Sequence, residues 1–361
     1  MTKSVIDPIT RIEGHLRVEM EVENGKVSEA YVSGGLFRGM ELILEGHKPR
    51  DAAYISQRIC GVCPVSHAHA SCFAAEAAYG IKIPNAARII RNIVEGAQFL
   101  HSHILWFYNL AGLDYVNPIH ALEADAAKAT EAAVAAGTSA TDFVALKERL
   151  SAFAKNGQLS IFSGNWFGTG EYYLSAEEDL IATAHYLEAL QMQAKASQIS
   201  GIIGGKMPHI QTSIPGGTAW YPTEEKLDDV LFRAKEIYAW CQKTLIPDTF
   251  IIGDAYAPDA KMGFGWGGGC KQYIAWGVFD DETQDGSNRY LPAGVVDSKL
   301  NLSVPDEMKI TEYTGHSYYA SVSNEQPRNG ITDPDYGDGY NIKDKYSWSK
   351  SPRYDGGVYE A

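Results

Sequence analysis

The segment Arg58-Ile59-Cys60-Gly61-Val62-Cys63-Pro64-Val65-Ser66-His67 places two thiols and an imidazole where a helix is predicted to begin. Pro64 suits the first helical position, where a missing amide proton costs nothing, so we expect Cys63 at or beside the N-cap. The positive end of the helix dipole favours the thiolate of Cys63, the form that binds a metal. Gly61 is expected to let the backbone turn so that both sulfurs reach one ion. His67, one turn after Cys63, is expected to hydrogen-bond that sulfur.

A Cys-x-x-Cys pair followed by a histidine can hold a soft transition metal, but it does not complete a four-coordinate site. Three other interpretations stay open here: buried structural cysteines with a satisfied core histidine, a redox dithiol, and a structural zinc site. The zinc site is disfavoured because the sequence has no second Cys-x-x-Cys. Cys72 would lie about 13 Å along the same helix from Cys63, too far to share an ion. The solitary Cys241 and Cys270 are expected to be packing residues.

Composition excludes several classes of protein. The chain has 361 residues, of which 45% are hydrophobic, so it can bury a large core as one big domain or two. Its formal charge of -14 argues against binding to nucleic acid or to an anionic membrane. Its 5 cysteines are too few for a disulfide framework. We expect no apolar signal segment at the start and no direct membrane span, since the most apolar stretch, residues 104–113, is too short.

The hydrophobic pattern predicts a mainly helical α+β fold. Residues 15–32 alternate apolar and polar side chains around Asn24-Gly25, which predicts a β-hairpin with a tight primed turn. Helical spacing over residues 86–110 predicts a helix of about seven turns. The aromatic stretches Trp106-Phe107-Tyr108 and Tyr318-Tyr319 are expected to lie in the core, with packing against a partner subunit as a further use.

Two capping signals predict further long helices. Ser175-Ala176-Glu177-Glu178 is a capping box that would open a helix toward Gly201. Thr223 is expected to cap a helix that runs to about Thr244. From Phe250 onward Gly, Pro, Asp and Tyr become frequent, which predicts strands and loops.

These patterns predict one continuous body over residues 1–361. We expect it to be a long-helix bundle (37–249) with an N-terminal β-hairpin layer (1–36) and an irregular α+β C-terminal segment (250–361). The sequence shows no internal repeat, low-complexity tract or convincing linker.

The decamer and five other segments together resemble the large subunit of nickel-iron hydrogenases. The other segments, spread over almost the whole chain, are Arg11-Ile12-Glu13-Gly14-His15, Arg38-Gly39-Met40-Glu41, Gly204-Gly205-Lys206-Met207-Pro208-His209-Ile210-Gln211, Gly315-His316-Ser317 and Ser351-Pro352-Arg353-Tyr354. The resemblance implies reversible heterolytic cleavage of dihydrogen, with the electrons passed to iron-sulfur clusters on a small subunit. This chain would be the N-terminal portion of the catalytic subunit.

The resemblance also implies roles for individual residues. Cys60 would be a terminal nickel ligand, and Cys63 would bridge nickel to an iron that carries carbon monoxide and cyanide. Glu13 matches the carboxylate that relays the proton away from the metals. Glu41 matches a ligand of a buried magnesium-type ion. His209 matches a histidine that faces the partner's nearest iron-sulfur cluster.

Arg58 stands directly before the thiols and could stabilise negative charge on sulfur or on cyanide. A structural ion pair would explain it equally well without the motif. Together with Glu13, the two cysteines and His67, it completes the set of candidate catalytic residues.

The sequence departs from the family pattern in two places. Relatives often carry His-Asp-His where this chain has His101-Ser102-His103, so a carboxylate is replaced by a hydroxyl; selenium-containing relatives share the serine. Relatives also carry a later Asp-Pro-Cys-x-x-Cys, which supplies two further nickel thiolates and is not found in this sequence. We therefore expect a cysteine- or selenocysteine-x-x-cysteine half to come from a second polypeptide, encoded separately or cut from the same precursor, or from a part of the protein outside this sequence.

Two alternatives from other classes of protein remain at this stage. One is a metal-free relative, such as the quinone-site subunit of an NADH dehydrogenase-like complex, and the other is a zinc-binding scaffold subunit. The expected location is periplasmic or membrane-associated through a twin-arginine signal on the partner, with a cytoplasmic location as the alternative.

Overall fold

The computed structural model describes residues 2–159, 162, 172–261, 271–284 and 288–359, with only the backbone for 258–261. Long helices and small antiparallel sheets make up these ranges, which confirms the predicted α+β class. The chain falls into two compact units, which we call the sheet unit (Met1–Lys48 with Gly267–Ala361) and the helical unit (Pro49–Trp266). Cys270 lies outside the described residues, so its expected packing role stays a prediction.

The N-terminal part of the sheet unit is a three-stranded antiparallel sheet followed by one short helix. Asn24 and Gly25 have φ values of 53° and 75°, as a primed turn requires, so the predicted hairpin is confirmed. A further strand pairs with the first hairpin strand and was not predicted. The elements are β1 (Thr2–Ile6), β2 (Leu16–Glu23), β3 (Lys26–Gly34) and α1 (Met40–Leu44).

The helical unit packs long helices around two apolar clusters. Among the helices of the described ranges, none is long and apolar enough to cross a bilayer. Its elements are α2 (Ala52–Ser56), α3 (Pro64–Tyr79), α4 (Asn85–Ile104), α5 (Ala126–Ala135), α6 (Phe143–Lys155), α7 (Ala176–Gly204), β4 (Ser213–Ile214), β5 (Gly217–Thr218), α8 (Glu224–Trp240) and α9 (Ile246–Lys261).

The predicted long helix over residues 86–110 is confirmed as α4, which widens into a π-helix over Leu105–Ala111. Its buried Val94 and Ala97 belong to the same apolar cluster as Ile199 of α7. Helices α4 and α7 therefore form the centre of the helical unit.

Both predicted caps are confirmed. At the start of α7 the Glu178 amide donates to Ser175 Oγ at 3.2 Å, and the Ser175 amide donates to Glu178 Oε2 at 2.8 Å. The Lys226 amide donates to Thr223 Oγ1 at the start of α8. Each cap satisfies a donor that the first helical turn would otherwise leave unpaired.

The prediction that strands and loops begin at Phe250 is wrong. After α8 the chain forms a π-helix over Cys241–Leu245 and continues as α9 to Lys261, beyond the expected limit of the helical bundle at residue 249. Pro247 follows the π-helical segment directly, and its missing N–H removes one helical hydrogen bond at this junction. The buried Asp248 beside it accepts hydrogen bonds from His185 Nδ1 at 2.7 Å and from the Tyr108 hydroxyl at 2.8 Å.

The C-terminal part of the sheet unit consists of short strands around an aromatic cluster. The Trp348 ring stacks on Phe37 at 4.4 Å and contacts Tyr318 at 4.9 Å and Tyr336 at 5.9 Å between ring centroids. The strands form sheets β10-β9-β6, β12-β11-β13 and β7-β8. They are β6 (Tyr273–Ala275), β7 (Val278–Asp280), β8 (Arg289–Leu291), β9 (Gly294–Val296), β10 (Leu302–Ser303), β11 (Ile310–Tyr313), β12 (Asn324–Glu325) and β13 (Ser351–Tyr354).

The aromatic prediction is confirmed for four of its five residues. Tyr108, Tyr318 and Tyr319 are buried, and Phe107 packs against the larger apolar cluster. Trp106 differs, because 61% of its surface is exposed.

A buried ion pair fixes α3 against α4. Arg91 Nη1 and Nη2 donate to the two oxygens of Glu76 at 3.0 and 2.7 Å. Arg91 Nε also donates to the Gly217 carbonyl, and the Gly216 amide donates to Glu76 Oε1. The pair therefore ties the β4–β5 hairpin to both helices.

We expect Arg91→Met to lower the free energy of unfolding by about 3–5 kcal/mol, because it leaves Glu76 buried without its cation. The matched control is Arg233→Met, which removes an i,i+4 pair with Asp229 at the surface of α8 and should cost at most about 1 kcal/mol. Urea denaturation followed by circular dichroism measures both losses. Similar losses in the two variants would contradict the special role of the buried pair.

Candidate metal centre

The two cysteines of the decamer lie in a short loop between a 3-10 turn and helix α3. The turn covers Gln57–Ile59, and α3 begins at Pro64 with Cys63 as its N-cap residue. The predicted helix start is therefore confirmed. Cys63 stands where the unpaired amides and the dipole of the helix favour negative charge on its sulfur.

Cys60 is the more enclosed of the two thiols, with 6% of its surface exposed. The backbone amides of Val62 and Cys63 both point at its sulfur, with N–Sγ distances of 3.3 and 3.2 Å. Hydrogen bonds to a sulfur favour its anionic form, since they compensate the loss of water around the charge. No disulfide joins Cys60 to Cys63, so both sulfurs can act as ligands.

Gly61 plays a smaller part than the sequence predicts. Its φ lies outside the left-handed region, and a Cβ added there would meet no heavy atom within 4 Å. The turn between the two cysteines therefore does not use the left-handed freedom of glycine, and the expectation that both sulfurs reach one ion stays a prediction.

His67 lies on the first turn of α3, and burial lowers the pKa of its imidazole. The neutral ring is therefore favoured near neutral pH, and it can accept or donate a hydrogen bond. The expected bond from His67 to the Cys63 sulfur stays a prediction.

The loop after α7 brings His209 to the turn that precedes Cys60. The pKa of His209 is lowered by burial and by the charges of Arg58 and Lys206, while a hydrogen bond to the Gln57 backbone opposes this. Gly204 allows the loop to pack closely against the end of α7, because a Cβ at position 204 would come within 2.3 Å of Ile210 Cγ2. Arg58 and His209 are thus neighbours, although they are far apart in sequence.

Sequence reasoning missed two buried amides near the cysteines. Gln57 is completely buried, and neither polar atom of its side chain has a hydrogen-bond partner. Gln98 of α4 donates from Nε2 to the Val62 carbonyl at 2.9 Å. For Gln98, the sequence signal was a polar residue among the apolar positions of a predicted core helix.

A second buried network holds α3 beside the loop. The His69 ring contacts Glu95 of α4 at 2.9 Å and Ser213 of β4 at 2.9 Å, and Ser66 Oγ donates to Glu95 at 2.7 Å. Burial by itself would raise the pKa of Glu95, but the bonds from His69 and Ser66 outweigh it and leave the pKa below its usual value.

Glu13 and Glu41 belong to the sheet unit. The Glu13 side chain is exposed, in the segment between β1 and β2. Glu41 lies in the first turn of α1, and its side chain is 59% exposed. Lys350 Nζ lies 3.9 Å from Glu41 and 3.6 Å from Glu312, so two carboxylates share one ammonium group.

The donor set of the loop suits a soft metal. Thiolates bind nickel, iron and zinc well, and a buried sulfur with two amide donors is prepared to carry negative charge. Within the part of the chain that the structure describes, no group of three or more His, Cys, Asp or Glu side chains could hold a metal ion. Cys60 and Cys63 provide two soft donors, fewer than the four of a tetrahedral site.

The fold and the loop together define a helical subunit with a cysteine pair suited to a metal. The chain belongs to the nickel-dependent hydrogenase family, whose model matches residues 38–361, while a HoxL-like model matches residues 3–33. The resemblance noted from the motifs is thereby confirmed.

Curated relatives and solved structures agree with this family. The chain is 35% identical to the hydrogenase-1 large chain of Escherichia coli (strain K12), covering 99% of this chain and 65% of that one. It is 37% identical to the hydrogenase-2 large chain of the same strain, with coverage of 98% and 65%. The oxidized Ni-Fe-Se hydrogenase from D. vulgaris Hildenborough superimposes with a TM-score of 0.80 at 34% identity, with coverage of 99% and 65%. The chain thus spans about 65% of the length of these relatives.

We expect Glu95→Gln to lower the free energy of unfolding by about 1.5–3 kcal/mol near pH 7, the usual value of hydrogen bonds to a charged group. A carboxyl with a lowered pKa stabilises the fold above its unfolded pKa, and this stability is lost as the pH falls through the folded pKa. The deficit of the variant should therefore shrink toward pH 3.

Denaturation curves between pH 3 and pH 7 test this expectation. Glu131→Gln, at an exposed position of α5, is the control and should show little change at any pH. A deficit in Glu95→Gln that is independent of pH would contradict an ionised Glu95.

Proposed function

We propose that this chain is part of the catalytic subunit of a nickel-iron or nickel-iron-selenium hydrogenase. The reaction is the reversible heterolytic cleavage of dihydrogen, with the electrons passed to iron-sulfur clusters of a small subunit. The main support is the Cys60–Cys63 loop, in which one sulfur receives two backbone N–H bonds and the other stands at a helix N-terminus. The family match supports nickel as the metal.

The proposed metal ligands are Cys60, which would hold nickel, and Cys63, which would hold nickel together with an iron that would carry carbon monoxide and cyanide. When bound, the nickel-iron centre supplies the Lewis acidity that makes dihydrogen acidic enough to lose a proton. Cys60 is itself buried, so little water reaches its sulfur. Arg58 would counter negative charge that develops near the sulfurs, and His67 would act from the same helix as Cys63.

The proton is proposed to leave through side chains of this chain. A thiolate Sγ of the cysteine pair takes it first, and a Glu13 carboxylate oxygen accepts it next. Glu13 suits this role because its exposed side chain can exchange protons with solvent.

The site needs two more soft ligands than the loop provides. We propose that a further cysteine- or selenocysteine-x-x-cysteine segment supplies them. Glu41 would supply one oxygen to a magnesium ion, for which carboxylates are the usual protein ligands.

His209 is proposed to face the iron-sulfur small subunit. Its lowered pKa keeps the ring neutral, so that one nitrogen can donate and the other can accept a hydrogen bond. We further propose a periplasmic or membrane-associated location, reached through a twin-arginine signal on that partner.

We expect the purified wild-type complex to contain nickel and iron. The Cys63→Ser substitution should abolish hydrogen-dependent dye reduction and cause loss of nickel. A serine hydroxyl is a harder and far less acidic donor than a thiol and cannot replace it on a soft metal. The matched control is Cys72→Ala, since Cys72 is buried in the same helix and burial raises its pKa to about 11.

Metal analysis, dye reduction and infrared bands of carbon monoxide and cyanide provide the measurements. Cys72→Ala should keep all three. Full activity in Cys63→Ser, or zinc without nickel in the wild-type complex, would refute the proposed function.

We expect Glu13→Gln to slow the exchange of dihydrogen with deuterated water while the metals stay bound, because an amide cannot accept the proton. Glu23→Gln, at the exposed end of β2, should leave the rate unchanged. Loss of metal in Glu13→Gln would point to a structural role instead.

A further inference from the structure

One peptide unit connects the buried sulfur to helix α4. The carbonyl of Val62 and the amide of Cys63 belong to the same planar peptide, in which C=O and N–H point in opposite directions. The amide end lies 3.2 Å from Cys60 Sγ, and the carbonyl end lies 2.9 Å from Gln98 Nε2. A group that holds the oxygen therefore also sets the direction of the N–H.

Gln98 is itself held firmly. Only 2% of its surface is exposed, and its second Nε2 proton goes to Ser102 Oγ, one turn along α4, at 2.9 Å. Two acceptors on the nitrogen fix the orientation of the amide, because the flipped form would place Oε1 against the Val62 carbonyl. Its Oε1 is buried without a hydrogen-bond partner, so the fold tolerates an unfavourable group at this position.

We propose that Gln98 is a positioning residue for the cysteine ligands. It holds the Val62–Cys63 peptide so that the Cys63 N–H stays on Cys60 Sγ, and it does so without touching a metal. A fixed N–H withdraws electron density from the sulfur, and the bond to Gln98 polarises the peptide in the same direction. The effect on a bound nickel-iron centre rests on the proposed function, whereas the orientation of the peptide does not.

Two variants distinguish the effect of the hydrogen-bond donor from the effect of the shape of the side chain. Gln98→Met keeps the length and bulk without a donor, and Gln98→Glu keeps the shape but places an acceptor against the Val62 carbonyl. The matched control is Gln193→Met, because Gln193 of α7 is also buried and its Nε2 donates to Asn109, away from the loop.

Hydrogen exchange of the full chain at residue resolution is the first measurement. We expect the Cys63 amide to exchange at least about tenfold faster in both Gln98 variants and to be unchanged in Gln193→Met. Amides in the middle of α3 should keep their wild-type rates. An unchanged Cys63 amide, or equal acceleration in the control or throughout α3, would overturn the proposal.

Infrared spectra of the assembled complex are the second measurement. The carbon monoxide and cyanide bands should shift in Gln98→Met and stay in place in Gln193→Met, although both variants bind nickel. Bands that do not move in Gln98→Met would overturn the inferred effect on the sulfur. If the wild-type complex shows no such bands, the proposed function fails, and the exchange result still decides the positioning role.

Discussion

The contact between two backbone amides and the Cys60 sulfur is the interaction on which the rest of the site depends. It exists only while the chain turns sharply after the 3-10 segment and enters α3 at Pro64. The same turn places Cys63 at the N-terminus of α3, so a single backbone path prepares both sulfurs for negative charge. The long helices around the loop serve to keep that path in place.

Two polar pairs hold α3 in position on two sides. Glu76 and Arg91 join it to α4 and to the β4–β5 hairpin, and His69 and Glu95 form a second connection nearer the cysteines. Such pairs contribute little net stability, but losing one partner is costly. Their main effect is therefore to hold α3 in one orientation. The loop that carries the two cysteines depends on this fixed orientation more than on added stability.

Local signals predicted much of this structure, and long-range contacts account for the rest. The primed turn at Asn24, the capping box at Ser175 and the helix start at Pro64 each depend on a few adjacent residues, so the sequence sufficed. The continuation of the helix past Phe250 was missed, and the contacts that anchor α9 are long-range, since its Asp248 is held by side chains from α7 and from the π-helical extension of α4. Gln98 was missed for the same reason, since its partner Val62 lies 36 positions away.

The pair of His185 and Asp248 illustrates how a contact between residues distant in sequence limits which substitutions the protein accepts. Its Nδ1 faces the Asp248 carboxylate, and its Nε2 lies 3.0 Å from the Ser139 carbonyl, which can only accept. Burial by itself would lower the pKa of His185, but the Asp248 carboxylate outweighs it and raises the pKa, which favours the charged ring. A mutation at either residue alone strands the opposite charge in the interior. Natural variation there should accordingly arise as coordinated double replacement, with a neutral pair of similar volume as the accessible evolutionary route.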